Sequence, residues 1–167
     1  MNVWPAVKDL YPQATLDIYY GWQHWNQLTP TQEANLRALV AKLEVLDVQE
    51  HGCVGHEELN RAFERTSLWT YPCLVPETFC ITAIKAQLAG AIPVIIEGTA
   101  LSETVRHGYK CNNKSEYLST LLTAMKNVKQ TSLTERKQMG DFVLKEYTWR
   151  SIALQWKQLF DEQENRE

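Results

Sequence analysis

The sequence lacks a long apolar run and lacks an excess of charge of one sign. It holds 17 Lys and Arg against 20 Asp and Glu, a formal net charge of −3, so it has no basic field of the kind that attracts nucleic acid or anionic membranes. Its longest apolar stretch, residues 89–96, is interrupted by Gly90 and Pro93 and is far shorter than the ~20 residues of a membrane span. The first residues lack the features of a secretory signal. We therefore predict a cytoplasmic protein with no transmembrane segment and no nucleic-acid partner.

The motifs of several enzyme classes are also missing. There is no Gly-x-Gly-x-x-Gly and no Gly-Lys-Ser or Gly-Lys-Thr, which disfavours dinucleotide oxidoreductases and P-loop proteins. The four cysteines form no Cys-x-x-Cys pair and follow no export signal, so we expect reduced thiols. His51, Cys53, His56 and Glu57 are close in sequence but match no common zinc spacing. We predict no metal site and no cofactor.

What the sequence does have is an alternation of strands and helices. Strand patterns cover 15–20, 45–50, 67–71, 92–96 and 109–111, and helical patterns cover 3–10, 32–44 (with Thr31 as N-cap), 57–65, 79–89, 101–107, 116–127, 133–147 and 149–161. This order implies parallel pairing with right-handed crossovers. The predicted fold class is α/β, an open parallel Rossmann-like sheet with helices on both faces and a helical C-terminus. We expect one domain over 1–160 and a charged, frayed tail over 161–167.

In such sheets, ligands bind outside the carboxyl ends of the strands, which directs attention to the loops at 21–30, 51–56, 72–78 and 97–101. The loop over 71–80 leads from a strand into a helix N-terminus, where free amides and the helix dipole suit a diphosphate. Glu77 in this loop either complements the dipole or accepts hydrogen bonds from ligand hydroxyls. The loop over 97–105 has small residues that admit close backbone approach; alternatively, it is a plain connection with Ser102 as N-cap.

Five sequence blocks together resemble the C-terminal domain of retaining glycosyltransferases with the GT-B fold, of the family 4 type. The blocks are HGCVGHEEL at 51–59, YP at 71–72, ETF at 77–79, AQLAGAIPV at 86–94 and LSETV at 101–105. The sequence YTW at 147–149 followed by a helix is also similar to the end of that domain, so the resemblance covers about residues 4–160. It implies half of a GT-B fold that binds a nucleoside diphosphate sugar donor for metal-independent hexosyl transfer.

The resemblance also implies roles for individual residues. Glu77 corresponds to a glutamate that holds the hydroxyls of the donor sugar. The remaining donor-binding positions that the resemblance implies are Thr78, Phe79 and Cys80 beside the diphosphate, Thr99, Ala100 and Leu101 near phosphates and sugar, and Glu103 after them. Lys85 stands where the family has a second glutamate that contacts the nucleotide ribose. An ammonium cannot accept hydrogen bonds from ribose hydroxyls, so Lys85 either lines a differently built donor groove or is a solvated surface lysine.

A further departure concerns what the resemblance implies ahead of residue 3: a central strand, a glycine-rich turn with an Arg and a Lys, and an acceptor-binding domain. Since fixed cations stabilise the departing diphosphate, we expect the isolated chain to transfer little or no sugar, and its catalytic residues stay unassigned. The absent strand would be central in the order 3-2-1-4-5-6. Direct pairing of its neighbours, a partner chain with the N-terminal acceptor domain, or a homo-oligomer would compensate. The alternative function is a non-catalytic nucleotide or nucleotide-sugar binding or interaction module.

Overall fold

Helices and strands alternate along the chain, as the sequence predicts. The structure is a computed structural model, and it describes residues 3–20, 28–98 and 100–164. The chain divides into two compact units, Met1–Leu59 and Asn60–Glu167. The domain over 1–160 stays a prediction. None of the helices within the described residues is long and apolar enough to cross a membrane.

The first unit is built on a two-stranded parallel ladder. Its elements are α1 (Trp4–Leu10), β1 (Leu16–Ile18), α2 (Pro30–Glu44), β2 (Val48–Glu50) and the beginning of α3 (His56–Arg65). β1 pairs with β2 so that Leu16 lies opposite Val48, and α2 packs against β2. The indole of Trp4 is buried, and its Nε1 donates to the carbonyl of Leu46 at 2.7 Å. This contact fixes α1 against the turn that leads into β2.

Two boundaries in the first unit differ from the prediction. The N-cap of α2 is Thr29, not Thr31, because Pro30 takes the first helical position and Gln32 closes a capping box with Thr29. β2 begins at Val48 rather than at residue 45, because Asp47 adopts a left-handed φ of 56°. That conformation belongs to a turn and not to a strand.

The second unit contains a three-stranded parallel sheet in the order β3-β4-β5. Its elements after α3 are β3 (Leu68–Tyr71), α4 (Ile81–Leu88), β4 (Ile92–Ile96), α5 (Leu101–Thr104), β5 (Tyr109–Cys111), α6 (Tyr117–Asn127), α7 (Leu133–Tyr147) and α8 (Trp149–Glu164). All five residues of the central strand β4 are buried, as an unbroken apolar run in a covered parallel sheet requires. α6 packs against β4 and β5, and α4 packs against α7.

The predicted fold class is confirmed, because every described strand pair is parallel and helices separate the strands. The described strands form two parallel sheets, one in each unit: β1-β2 and β3-β4-β5. At the C-terminus, α8 continues to Glu164, so residues 161–164 are helical rather than a frayed tail.

Candidate functional site

The loop between β3 and α4 holds the residue on which the predicted site depends. β3 ends at Tyr71, and the Tyr71 hydroxyl donates to Oε2 of Glu77 at 3.0 Å, with both residues half-buried. Burial raises the pKa of Tyr71, and the adjacent Cys73 and Glu77 side chains raise it further, so the hydroxyl stays protonated and remains a donor. A carboxylate has about four lone-pair sites. Glu77 is therefore oriented by Tyr71 and keeps acceptor capacity for a ligand.

The helix after this loop begins later than predicted. α4 starts at Ile81, not at residue 79, because its N-cap Cys80 has a left-handed φ of 62° and makes no side-chain capping bond. Thr78, Phe79 and Cys80 therefore belong to the loop at the N-terminus of α4, where amides and the helix dipole favour an anion. Burial raises the pKa of the Cys80 thiol to about 11, although the amides of Ala83 and Thr82 oppose the shift. Cys80 is thus a neutral thiol at pH 7.

The second predicted loop meets the first. The amide of Ala100 donates to the carbonyl of Glu77 at 3.1 Å, which brings together two segments that the sequence analysis treated separately. Ser102 is not the N-cap of α5; that position is held by Ala100, and the Ser102 hydroxyl accepts from the amide of Gly98 at 3.3 Å. Thr99, also predicted for the site, lies outside the described residues.

Two other predicted positions differ in exposure. Leu101 is fully buried, so its side chain belongs to the core of the second unit. Glu103 is exposed, and its backbone carbonyl accepts from the Tyr147 hydroxyl at 3.3 Å. The ring of Tyr147 also contacts Phe79 edge-on, with 5.6 Å between the ring centroids. Tyr147 therefore supports both loops from α7.

Lys85 lies on α4, and its side chain is half-buried. Loop residues 78–80 and the first turn of α4 lie between Glu77 and Lys85 along the chain. Lys85 is four residues into α4, about 6 Å along the axis from Ile81 at 1.5 Å per residue. The buried positions of α4 are Ala83, Ala86 and Gln87.

Sequence reasoning missed three residues that organise this site. Tyr71 and Tyr147 were placed at a strand end and a helix end and in two of the sequence blocks, but they were given no role in the site. Gln87 is fully buried and joins α4 to α5, since its Nε2 donates to the carbonyl of Thr104 at 2.7 Å. A buried glutamine in an otherwise apolar helix face signals a polar partner. The two tyrosines carry no such local signal, because their partners are set by tertiary packing.

A separate cluster lies at the carboxyl ends of the strands of the first unit. Nε2 of His51 donates to Oδ1 of Asp17 at 2.6 Å. The ring of Tyr19 stacks on the imidazole, with centroids 4.4 Å apart and planes within 5°. These contacts give His51 a structural role at the β1–β2 edge. Within residues 3–20, 28–98 and 100–164, no three His, Cys, Asp or Glu side chains are grouped to hold a metal ion.

Comparison with known proteins supports the fold. No protein-family model and no curated protein sequence matches the chain. Anabaena Alr3699/HepE in complex with UDP matches with a TM-score of 0.66 and 13% identity, covering 96% of this chain and 52% of that chain. Its complex with UDP and glucose matches with a TM-score of 0.72 and 16% identity, covering 94% of this chain and 43% of that chain. The catalytic domain of starch synthase IV from Arabidopsis thaliana, bound to ADP and acarbose, matches with a TM-score of 0.64 and 13% identity. The match covers 93% of this chain and 34% of that chain.

At these identities the similarity shows the fold alone. The chain spans about half or less of the length of the solved chains that it matches. Its fold is that of a domain of GT-B glycosyltransferases, which confirms the fold implied by the resemblance stated from the sequence.

Proposed function

We propose that this chain is a nucleotide-sugar-binding domain of the glycosyltransferase type, which holds a nucleoside diphosphate sugar for hexosyl transfer. The observation that carries the proposal is the pair of strand-end loops joined by the bond from the Ala100 amide to the Glu77 carbonyl. In parallel α/β folds, ligands bind at this edge of the sheet. Neighbours with the same fold are bound to UDP or ADP.

Glu77 would bind the sugar of the donor. Its carboxylate is oriented by the Tyr71 hydroxyl, and its remaining lone pairs can accept hydrogen bonds from sugar hydroxyls, which are good donors. A hydrogen bond to a charged group contributes roughly 1.5–3 kcal/mol. Glu77 therefore accounts for sugar recognition, and Tyr71 acts as its positioning residue.

The diphosphate would bind at the amides of Thr78, Phe79 and Cys80, ahead of α4, where the helix dipole favours negative charge. The amide of Ala100 already donates to Glu77. We therefore assign Ala100 to holding the two loops together and not to the phosphates. Sugar transfer itself would need cations that stabilise the leaving diphosphate, and we propose that a second domain supplies them.

A non-catalytic nucleotide-sugar binding module is the second candidate, and Lys85 favours it. Lys85 occupies the position at which the resemblance expects a carboxylate for the ribose. Replacing an acceptor by a donor at such a position weakens the usual ribose contact. Such a module would bind the donor and release it unchanged even when a complementary domain is added.

Calorimetric titration with UDP, GDP, ADP and their hexose conjugates tests the proposal. We expect saturable binding of at least one conjugate. Glu77→Gln should lower the affinity of the chain for that conjugate about 10- to 100-fold, while its affinity for the free nucleoside diphosphate should change little. Glu64→Gln is the matched control, since Glu64 is an exposed acid on α3. The proposal fails if the folded chain binds none of them, or if Glu77→Gln and Glu64→Gln behave alike.

The same titration with Lys85→Glu separates the two candidates. A gain in affinity would mean that Lys85 weakens an ancestral ribose contact, which favours the non-catalytic module. A loss of affinity would mean that Lys85 contacts the donor, which favours a functional site of altered design. Lys85→Met, which removes the charge and keeps the length, shows whether the effect belongs to the new carboxylate or to the lost ammonium.

A further inference from the structure

The segments that follow β3 and β4 share one support at the end of α7. The hydroxyl of Tyr147, the last residue of this helix, donates to the backbone carbonyl of Glu103 in α5 at 3.3 Å. The ring of the same tyrosine meets Phe79, in the loop before α4, with 5.6 Å between the centroids. Burial raises the pKa of Tyr147, so its hydroxyl stays protonated and remains a donor at pH 7. One side chain thus contacts both segments.

The ring of Tyr147 is itself held in place by other rings. Phe142, which also lies on α7, contacts it edge-on at 5.7 Å with the planes 87° apart. Phe142 in turn contacts the imidazole of His107, in the connection between α5 and β5, at 6.0 Å. Edge-on geometry is one that aromatic rings favour. Tyr147 is therefore a fixed support for the loop and not a side chain that follows it.

Two series of contacts lead from Tyr147 to Glu77, the residue proposed to bind the sugar. The shorter one passes through Phe79, which is two residues after Glu77 in the same loop. The longer one passes through α5, where Glu103 accepts from Tyr147. The Glu103 amide donates to the Ala100 carbonyl at 3.0 Å, and the Ala100 amide donates to the Glu77 carbonyl at 3.1 Å. Contiguous packing and hydrogen bonds of this kind carry coupling between positions.

We propose that Tyr147 is a positioning residue of the donor site, which holds the loop of Glu77 in place relative to the loop that follows β4. This inference rests on the proposed function, because Tyr147 acts on the donor only through the two loops. Loops that are held in one arrangement need less ordering when a ligand binds, which strengthens binding. The hydroxyl acts on α5 and the ring acts on Phe79, so substitution can separate the two effects.

Two variants make this separation. Tyr147→Phe removes the bond to Glu103 and keeps the edge-on contacts, whereas Tyr147→Leu removes both. Tyr117→Phe is the matched control, because the Tyr117 hydroxyl also donates to a backbone carbonyl of the second unit, that of Val94, at 3.3 Å. Tyr117 lies on α6, and this bond ends on β4. Its loss should lower stability without loosening either site loop.

Hydrogen exchange followed by mass spectrometry measures the support directly. We expect faster exchange over residues 100–105 in Tyr147→Phe, and over both 72–80 and 100–105 in Tyr147→Leu. Tyr117→Phe should leave the exchange of both segments as it is in the unchanged chain. If Tyr147→Phe and Tyr147→Leu exchange in these segments as Tyr117→Phe does, the proposal is overturned, since Tyr147 then holds neither loop.

Calorimetric titration of the same variants relates the support to the donor, with UDP-glucose, GDP-glucose and ADP-glucose as probes. For a probe that the unchanged chain binds, we expect the dissociation constant to rise about threefold to tenfold in Tyr147→Phe and more than about tenfold in Tyr147→Leu. Tyr117→Phe should stay within about twofold. Equal dissociation constants for Tyr147→Phe and Tyr117→Phe would overturn the positioning role and leave the proposed function standing. If the unchanged chain binds none of the probes, the proposed function fails, and Tyr147 has no donor to position.

Discussion

The two compact units differ in how their sheets are covered. In the second unit, all five residues of β4 are buried between β3 and β5. In the first unit, β1 and β2 have three residues each, and Val48 is the buried one among them. A two-stranded sheet is marginal by itself, and parallel sheets need cover on both faces. The comparison teaches that one fold type can hold regions of unequal stability, so local opening should begin in the first unit.

The largest expected loss of stability comes from disturbing the packing of the second unit, whose central strand is fully covered. Gly108 has a φ of 111°, and a Cβ built there would lie 2.5 Å from the carbonyl oxygen of Pro93, the second residue of β4. Such a contact with backbone requires β4 and β5 to move apart. We expect Gly108→Ala to lower the free energy of unfolding by at least about 3 kcal/mol, measured by urea denaturation.

Gly98→Ala is the matched control for this prediction. Its φ of 116° is nearly the same, but nothing lies within 4 Å of the added Cβ. It therefore reports the backbone strain alone, about 1–2 kcal/mol. If the two variants are equally destabilised, close packing of Gly108 against β4 is not what stabilises the second unit.

The same contrast explains how much could be predicted from the sequence. The β4 run Ile-Pro-Val-Ile-Ile predicts its strand to the residue, because an unbroken apolar run has few other solutions in a parallel sheet. The start of α4 was misplaced because a left-handed Cys80 has no compositional signal. Glu77 was singled out by its place in the loop before a helix and by the resemblance, and its role stays a prediction. Its partners, Tyr71 and the Ala100 amide, were not singled out, because these bonds are set by how two loops pack after folding.

The next prediction concerns the core of the first unit. Trp4→Phe removes the donor to the Leu46 carbonyl and leaves that acceptor unpaired in a part-buried place, which costs about 1–3 kcal/mol. Hydrogen exchange followed by mass spectrometry should show faster exchange in peptides from residues 1–59 and unchanged exchange in β4. Trp149→Phe, at a position that is 89% exposed, is the control and should leave exchange unchanged. Faster exchange in β4 as well would mean that the two units open together.

A capping box is present in the described residues of each unit, and removing either one should lower the free energy of unfolding by a smaller amount. Thr29 caps α2 with Gln32 as its partner, and Ser132 caps α7 with Glu135 as its partner. The hydroxyl of each cap accepts from the amide three residues on, at 3.3 and 3.2 Å. We expect Thr29→Ala and Ser132→Ala each to cost about 1 kcal/mol at pH 7, measured by thermal unfolding. A loss of unfolding free energy below a few tenths of a kcal/mol would show that the helix is held by packing alone.

The pH dependence of the two boxes should differ, because Gln32 does not titrate and Glu135 does. The backbone amide and the hydroxyl of Ser132 donate to the Glu135 carboxylate and lower its pKa from the ordinary value of 4.5. A carboxyl whose pKa is lower in the folded state stabilises above its unfolded pKa, and this contribution is lost as the pH falls through the folded pKa. The cost of Ser132→Ala should therefore shrink between pH 7 and about pH 3, while that of Thr29→Ala stays constant over the same range. Equal pH profiles for the two variants would show that Glu135 is not held by Ser132 in solution.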